Sequence, residues 1–172
     1  MRFIRWALAF IALVFFILLC VGVIARFGDG PTGFFPGGPL QAGDLYTGPE
    51  PDWTFARDIG EMEFELVEPE QSRTIWLQVH DQKLYVVSGY MNSPVGKVWK
   101  KWPAQAETDG RAVIRLNDRR YERQLVRILE DDEVLNGIAS EVSRKYGVPF
   151  PAGAAESGDV WFFALEPRPK SS

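Results

Sequence analysis

The chain has one cysteine, Cys20, and one histidine, His80, in 172 residues. No disulfide can close within it. A zinc site built from Cys and His is excluded, because such structural sites take four of these ligands. A Ser-His-Asp or Cys-His arrangement would have to run through His80 alone. Positive charge is also in short supply. The net charge is −4, whereas a nucleic-acid binder shows a basic domain, so no nucleic-acid partner is expected. Site chemistry is left to Lys, Arg, carboxylates, hydroxyls, aromatics or a bound cofactor.

Charge is missing altogether from residues 6–25, WALAFIALVFFILLCVGVIA. Twenty residues rising about 1.5 Å each cover roughly 30 Å, the thickness of a bilayer's hydrocarbon core. Residues 1–26 therefore read as a transmembrane anchor whose partner is the lipid bilayer. A cleaved leader is the competing reading, with Val23 and Ala25 at the small-residue positions, but an apolar leader segment usually runs about 7–15 residues. Arg2, Arg5 and the amino terminus precede the run and Arg26 follows it, which favours a cytoplasmic N-terminus with the domain outside the cytoplasm. Cys20 lies within the run and reads as a small buried hydrophobe.

Residues 27–51 are rich in glycine and proline and form a linker, unsuited to helix or sheet interior. They read as an irregular, partly extended tether, or as a loose wrap if Phe34, Phe35, Leu40 and Leu45 dock on the domain. The globular domain spans 52–172. Asp52 caps a short turn with Trp53, Phe55 and Ile59 facing inward. EMEFELVE (61–68) alternates, with Met62, Phe64 and Leu66 on one face and glutamates on the other, the period of a half-buried strand. TIWLQVH (74–80) and KLYVVS (83–88) flank a tight turn, as do RAVIRLN (111–117) and RRYERQLVRIL (119–129). DVWFFAL (159–165) reads as a central or closing strand.

Two helices interrupt this meander. Val95–Glu107 is split by Pro103. Asp131–Tyr146 has an acidic first turn, Arg144 and Lys145 in its last turn and Gly147 as its stop. Val134, Leu135, Ile138, Ala139, Val142 and Tyr146 form one apolar stripe. The fold class is thus α+β, mainly β. Antiparallel strands joined by short turns can close into a small barrel, with the helices outside it or plugging an end.

SGYMNSPVGKVWKKW (88–102) holds three of the six lysines and two of the six tryptophans. Lys97 follows Gly96 near the start of a helix, where free N–H groups attract anions. Lys100 and Lys101 read as a solvated face, and Trp99 and Trp102 as core packing. Arg119, Arg120, Glu122 and Arg123 read as strand-surface charges. His80 reads as a turn residue, since a general base needs an orienting partner and a pocket.

The run SRTIWLQVHDQKLYVVSG followed by GKVWKKWPAQAETDGRAVIRLNDRRYERQLVRI resembles the split β-barrel of the pyridoxamine-phosphate-oxidase-like, FMN-binding superfamily. Within it, the run is similar to the deazaflavin-dependent nitroreductase branch. The resemblance covers about residues 60–166. It implies a small antiparallel split barrel holding FMN or a deazaflavin at the rim, often at a homodimer interface, with the chemistry supplied by the cofactor. By position, Arg73 and Thr74 correspond to the phosphate-contacting strand, Ser88 and Lys97 to the phosphate loop, and Trp99 to the aromatic that opens the helix. Deazaflavin-using members carry a Gly-Arg-x-Ser-Gly-like turn before that strand, where this chain has Glu68-Pro69-Glu70-Gln71. Carboxylates there would repel a phosphate. The implied function is a membrane-anchored, flavin- or deazaflavin-dependent oxidoreductase of the nitroreductase or quinone-reductase kind. The alternative is a non-catalytic, membrane-tethered barrel used as a binding or assembly module.

Overall fold

A computed structural model describes residues 2–94, 96, 100–149 and 153–169. The first helix, α1, spans Arg2–Arg26. Its most apolar stretch has a mean hydropathy of 3.2 and none of it is buried against protein. It is long and apolar enough to cross a membrane, a property that a signal sequence shares.

The barrel consists of β2 (Glu61–Leu66), β3 (Gln71–His80), β4 (Lys83–Ser88), β5 (Arg111–Leu116), β6 (Arg119–Ile128) and β7 (Trp161–Pro167). The strands run in the order β6-β5-β2-β3-β4-β7, and β7 returns to pair with β6. That pairing closes the barrel, and every ladder in the ring is antiparallel. The last strand is the closing one: Phe163 meets Val86 on one side and Arg127 on the other. A short β1, Asp44–Leu45, pairs in parallel with the first residues of β6.

Both tight turns form at the expected places. Asp81 and Gln82 take φ of 47° and 61°, and Asn117 and Asp118 take 51° and 59°. Positive φ at both central residues matches the right-handed twist of the flanking strands. The barrel interior holds Met62, Phe64, Leu66, Leu77, Ile114, Leu116 and Phe163, all buried.

Two α-helices lie between strands among the described residues. Helix α2 is Trp102–Thr108. The expected helix Val95–Glu107 falls partly outside the described residues, and Lys100 and Lys101 are not helical, so α2 begins at Trp102. Pro103 sits in its first turn, where a missing N–H costs nothing. Trp102 plugs the barrel end, its ring 5.5 Å from those of Phe64 and Phe163. Helix α3, Asp132–Tyr146, is capped by Asp131, whose carboxylate accepts from the Val134 amide, and ends on Gly147 at φ 65°. It packs outside the barrel, with Ile138 and Val142 against Tyr85 and Phe162. Burying each of these two aliphatic side chains is worth about 1.5–3 kcal/mol.

Three expectations need correction. Phe55 is half exposed, and Ala56 takes the inward position. The turn from Trp53 to Ala56 is a 3-10 helix, in which residues three apart eclipse. Arg123 is not a surface charge. It shares the inward face with Tyr121 and Leu125 and is 4% exposed. It pairs with Glu50 at 2.8 Å and lies over the Trp53 ring.

The third is Glu65, which is buried rather than on an open face, because the Gly/Pro-rich segment lies across it. The Leu40 amide donates to Glu65 at 2.7 Å. Arg115 is clamped between Glu63 and Asp29. Gly37 pairs with Ser72, and a Cβ at Gly37 would fall 1.8 Å from the Gly30 carbonyl oxygen. Residues 28–46 thus wrap the barrel instead of standing it off from α1.

Candidate functional site

The register of β3 creates an opening. Its second half, Leu77–His80, pairs with β4, and its first half pairs with β2. Upstream of Leu77 the two hairpin strands part, since Val87 and Ser88 of β4 pair with β7. His80 and Lys83 close the two-residue turn, so the even-numbered residues of β3 turn their main-chain groups toward β4. Ser72 satisfies its own groups on Gly37, at 3.0 and 3.2 Å. Thr74 and Trp76 face the opening with no ladder partner there among the described residues.

A groove of about 1260 Å³ fills this split. One bank is Arg73, Thr74, Ile75, Trp76 and Gln78, and the other is Val87, Ser88, Gly89 and Tyr90. Lys100, Lys101 and Trp102 line it where α2 begins, and Gly33–Pro36 form a lip. That lip touches α1: a Cβ on Gly22 would lie 3.2 Å from the Phe35 ring.

Of the residues singled out from the sequence, Arg73, Thr74 and Ser88 therefore come together. Lys97 and Trp99 lie outside the described residues. The Arg73 guanidinium is the unusual member. Its Nε is buried without a partner among the described residues, and its Nη2 donates to Gln71 Oε1 at 3.0 Å. No carboxylate pairs with it among the described residues. Burial pushes its pKa down to about 10. Ser88 is buried, with its hydroxyl on the Met91 sulfur at 3.4 Å, a weak acceptor that a better one can displace. Thr74 is exposed on the groove bank.

Lys100 is half-buried and not the solvated charge that the sequence suggests. Burial lowers its pKa, and its Nζ donates to the Gly89 carbonyl at 2.9 Å. Trp102 is core, as expected, and also reaches the groove. Glu61 and Asp159 are the acids in the lining, whereas Glu68 and Glu70 are absent from it. Their repulsion of an anion is therefore not built into the groove. His80 stays out of the lining and packs against Gly137 of α3.

Sequence reading missed two contributors. Trp76 presents a ring whose other side stacks on Tyr146, at 4.1 Å and 7°. Gln78 is fully buried, and neither polar atom of its carboxamide has a partner among the described residues. Alternation along β3 marked both only as strand residues. No cluster of three metal-ligating side chains occurs among the described residues. The groove thus combines a half-buried cation with no carboxylate partner among the described residues, further lysines, aromatic walls and a buried carboxamide. Such a set suits an extended ligand with an anionic group and a planar polar ring, and FMN or a deazaflavin is of that kind.

No protein-family model and no curated protein matches the chain. Three solved structures are similar to it. The conserved hypothetical protein Rv2991 from Mycobacterium tuberculosis has a TM-score of 0.48 at 13% identity, over 67% of this chain and 77% of that one. A putative pyridoxamine 5'-phosphate oxidase from Listeria innocua has 0.46 at 9%, over 64% and 85%. The heme storage protein HutZ from Vibrio cholerae has 0.43 at 8%, over 67% and 87%. The closed six-strand barrel is the fold that the resemblance in the sequence implies. At identities and scores this low the likenesses say nothing about the groove's chemistry, which rests on this chain's own residues.

Proposed function

We propose that the groove binds FMN or a deazaflavin and that the protein is a membrane-anchored oxidoreductase of the nitroreductase or quinone-reductase kind. The observation that carries this reading is the half-buried Arg73, which lines the split with its Nε buried without a partner and no carboxylate paired with it among the described residues. Arg73, with Ser88, Lys100 and Lys101, would hold the phosphate end, and Lys97 and Trp99 remain part of the proposed set. Trp76, Tyr90 and Trp102 would flank the ring. The cofactor supplies hydride or electron transfer. The chain's own residues bind it, orient it and keep water from one side of the ring. The lip at Gly33–Pro36, in contact with α1, supports a groove that opens beside the bilayer. The excess of positive charge before the apolar run supports a cytoplasmic N-terminus and an outward barrel.

The test is titration of the full-length protein, in detergent micelles, with FMN and separately with a deazaflavin. The wrapped segment 28–46 makes the intact chain the right material. Micromolar binding to one of them, weakened at least tenfold by Arg73→Met, is expected. Failure of both to bind at tens of micromolar sinks the proposal. Binding without turnover toward quinone or nitroaromatic acceptors would assign the barrel to the binding-module alternative.

A further inference from the structure

The apolar side chains of the Gly/Pro-rich segment go to different places. Leu40 is buried against the barrel, and Phe35 rests on α1 beside Gly22. Phe34 is 99% exposed. A lone exposed apolar residue needs no explanation, but the placement of this one does.

Residues 30–37 form a small hairpin. Gly30 and Gly37 lie against each other at its base. Thr32 and Phe35 exchange both main-chain hydrogen bonds, at 3.1 and 3.0 Å. Gly33, at φ 57°, and Phe34 form the tip, and glycine at the first central position suits a two-residue turn. The base is tied to its surroundings. Gly37 pairs with Ser72 of β3, and the Gly38 amide donates to the Gly28 carbonyl at 3.1 Å. The end of α1 is tied down as well: Ala25 is buried, and Arg26 donates to the Glu70 carbonyl at 3.0 Å. Hairpin, helix end and barrel thus hold one another.

The hairpin points back along α1. Gly38 lies level with Arg26, where a Cβ on it would be 3.0 Å from the Arg26 carbonyl oxygen. Nearer the tip, Phe35 lies level with Gly22. From Gly22 to Arg26 the helix rises about 6 Å. Arg26 is the first charge after the apolar run, so it belongs at the headgroups. The tip therefore sits on the apolar side of that level, within the depth of about 5–10 Å that interfacial elements reach. No charged residue occurs in 30–39. The Thr32–Phe35 pairing satisfies main-chain groups that would be costly to leave open in lipid.

We infer that the Gly33–Phe34 tip inserts into the bilayer, with the Phe34 ring at the acyl boundary of the leaflet on the barrel's side. This rests on the anchor reading of α1 and adds a second membrane contact, in the segment that wraps the barrel. The contact holds the barrel against the surface and sets the groove's lip, Gly33–Pro36, at the lipid interface.

The test is nitroxide depth measurement on the full-length protein in phosphatidylcholine vesicles, using oxygen and a water-soluble nickel chelate as collision partners. In a Cys20→Ser background, single labels are placed at Phe34→Cys, at Thr32→Cys, at Phe10→Cys within α1, and at Phe55→Cys. Phe55 lies by the far end of β3, where the Trp53 amide donates to the Gln82 carbonyl. The Phe34→Cys label should read about 5–10 Å below the phosphates. The Thr32→Cys label should read shallower, and the Phe55→Cys label should lie in water. Thr32→Cys is the second position, should a label at the tip disturb it. The inference is overturned if both hairpin labels meet the nickel chelate as freely as the Phe55→Cys label while the Phe10→Cys label is in lipid. If the Phe10→Cys label is itself in water, or is lost with a cleaved leader, the anchor reading has failed and this inference falls with it. That result is distinct from a wet hairpin beside a lipid-buried α1.

Discussion

Replacing Arg73 with methionine should make the ligand-free protein more stable. The side chains are close in length, so the substitution removes the charge and little packing. The fall of the Arg73 pKa from 12.5 to about 10 comes from burial. At roughly 1.4 kcal/mol per pH unit this is about 3 kcal/mol of unfavourable burial at neutral pH, as an upper bound. Against it stands the lost hydrogen bond to Gln71, worth about 1 kcal/mol. The net gain is about 2 kcal/mol, or roughly 4–8 °C in melting temperature for a chain of this size. The sign with pH follows from linkage. Between about pH 10 and 12.5 the unfolded chain binds more protons at this position, so wild-type stability rises there and the gap to the variant narrows. Below pH 10 the gap is full. The assay is thermal unfolding of the full-length protein in micelles and phosphate-free buffer, repeated with FMN. FMN should raise the wild-type midpoint and leave the variant's nearly unmoved. A variant that melts at or below wild type without ligand would falsify the claim that the guanidinium is held unpaired for an incoming anion.

Two further changes probe the frame around the groove. Gly137→Ala would gain about 1 kcal/mol in an open helix. Here the new methyl would lie 2.2–2.6 Å from three His80 ring atoms, so a loss of about 1–3 kcal/mol is expected. Adding His80→Ala should restore stability in chemical denaturation, and a stabilising single variant would contradict the packing. Arg115→Met should free the wrap, since Arg115 bridges Glu63 and Asp29; a loss of about 1–3 kcal/mol is expected for these half-buried partners. Faster limited proteolysis within 28–43 should accompany it, and unchanged cleavage would count against the clamp. Burial raises the Asp29 pKa, but the Gln41 and Ala42 amides and Arg115 outweigh it and hold the carboxyl below its usual range. The clamp is thus complete at neutral pH and weakens as pH falls through that lowered value.

The limits of sequence reading are physical ones. Glu65 alternates as an outward residue, and β2 does place it there. It is buried because Leu40, twenty-five positions earlier, lies over it. Arg123 occupies the inward parity of β6 between Tyr121 and Leu125, a signal that its charge masked; Glu50, just after the wrap, makes its burial tolerable. Lys100 looks like any surface lysine until the β3–β4 split places it at a groove. Arg73 and Ser88 were legible only by position within the strand order, and nothing local marks a guanidinium as unpaired. Gln78 is clearer still, because an unsatisfied amide is a statement about every neighbour at once.

What the sequence by itself determined was local. Period-two alternation set the strands, Asp-Gln and Asn-Asp the two turns, Asp131 and Gly147 the ends of α3, and an uncharged run the membrane-length helix. Each depends on contacts within a few residues, or on no contact at all. Tertiary structure alone decided that β7 closes the ring on β6, that β3 leaves β4 at Leu77, and that the Gly/Pro-rich segment covers the glutamate face. Those are pairings between distant segments, selected by how much apolar surface and main-chain polarity the whole chain can satisfy together. The groove is what they leave open, and its unpaired charge and amide exist only because those pairings came first.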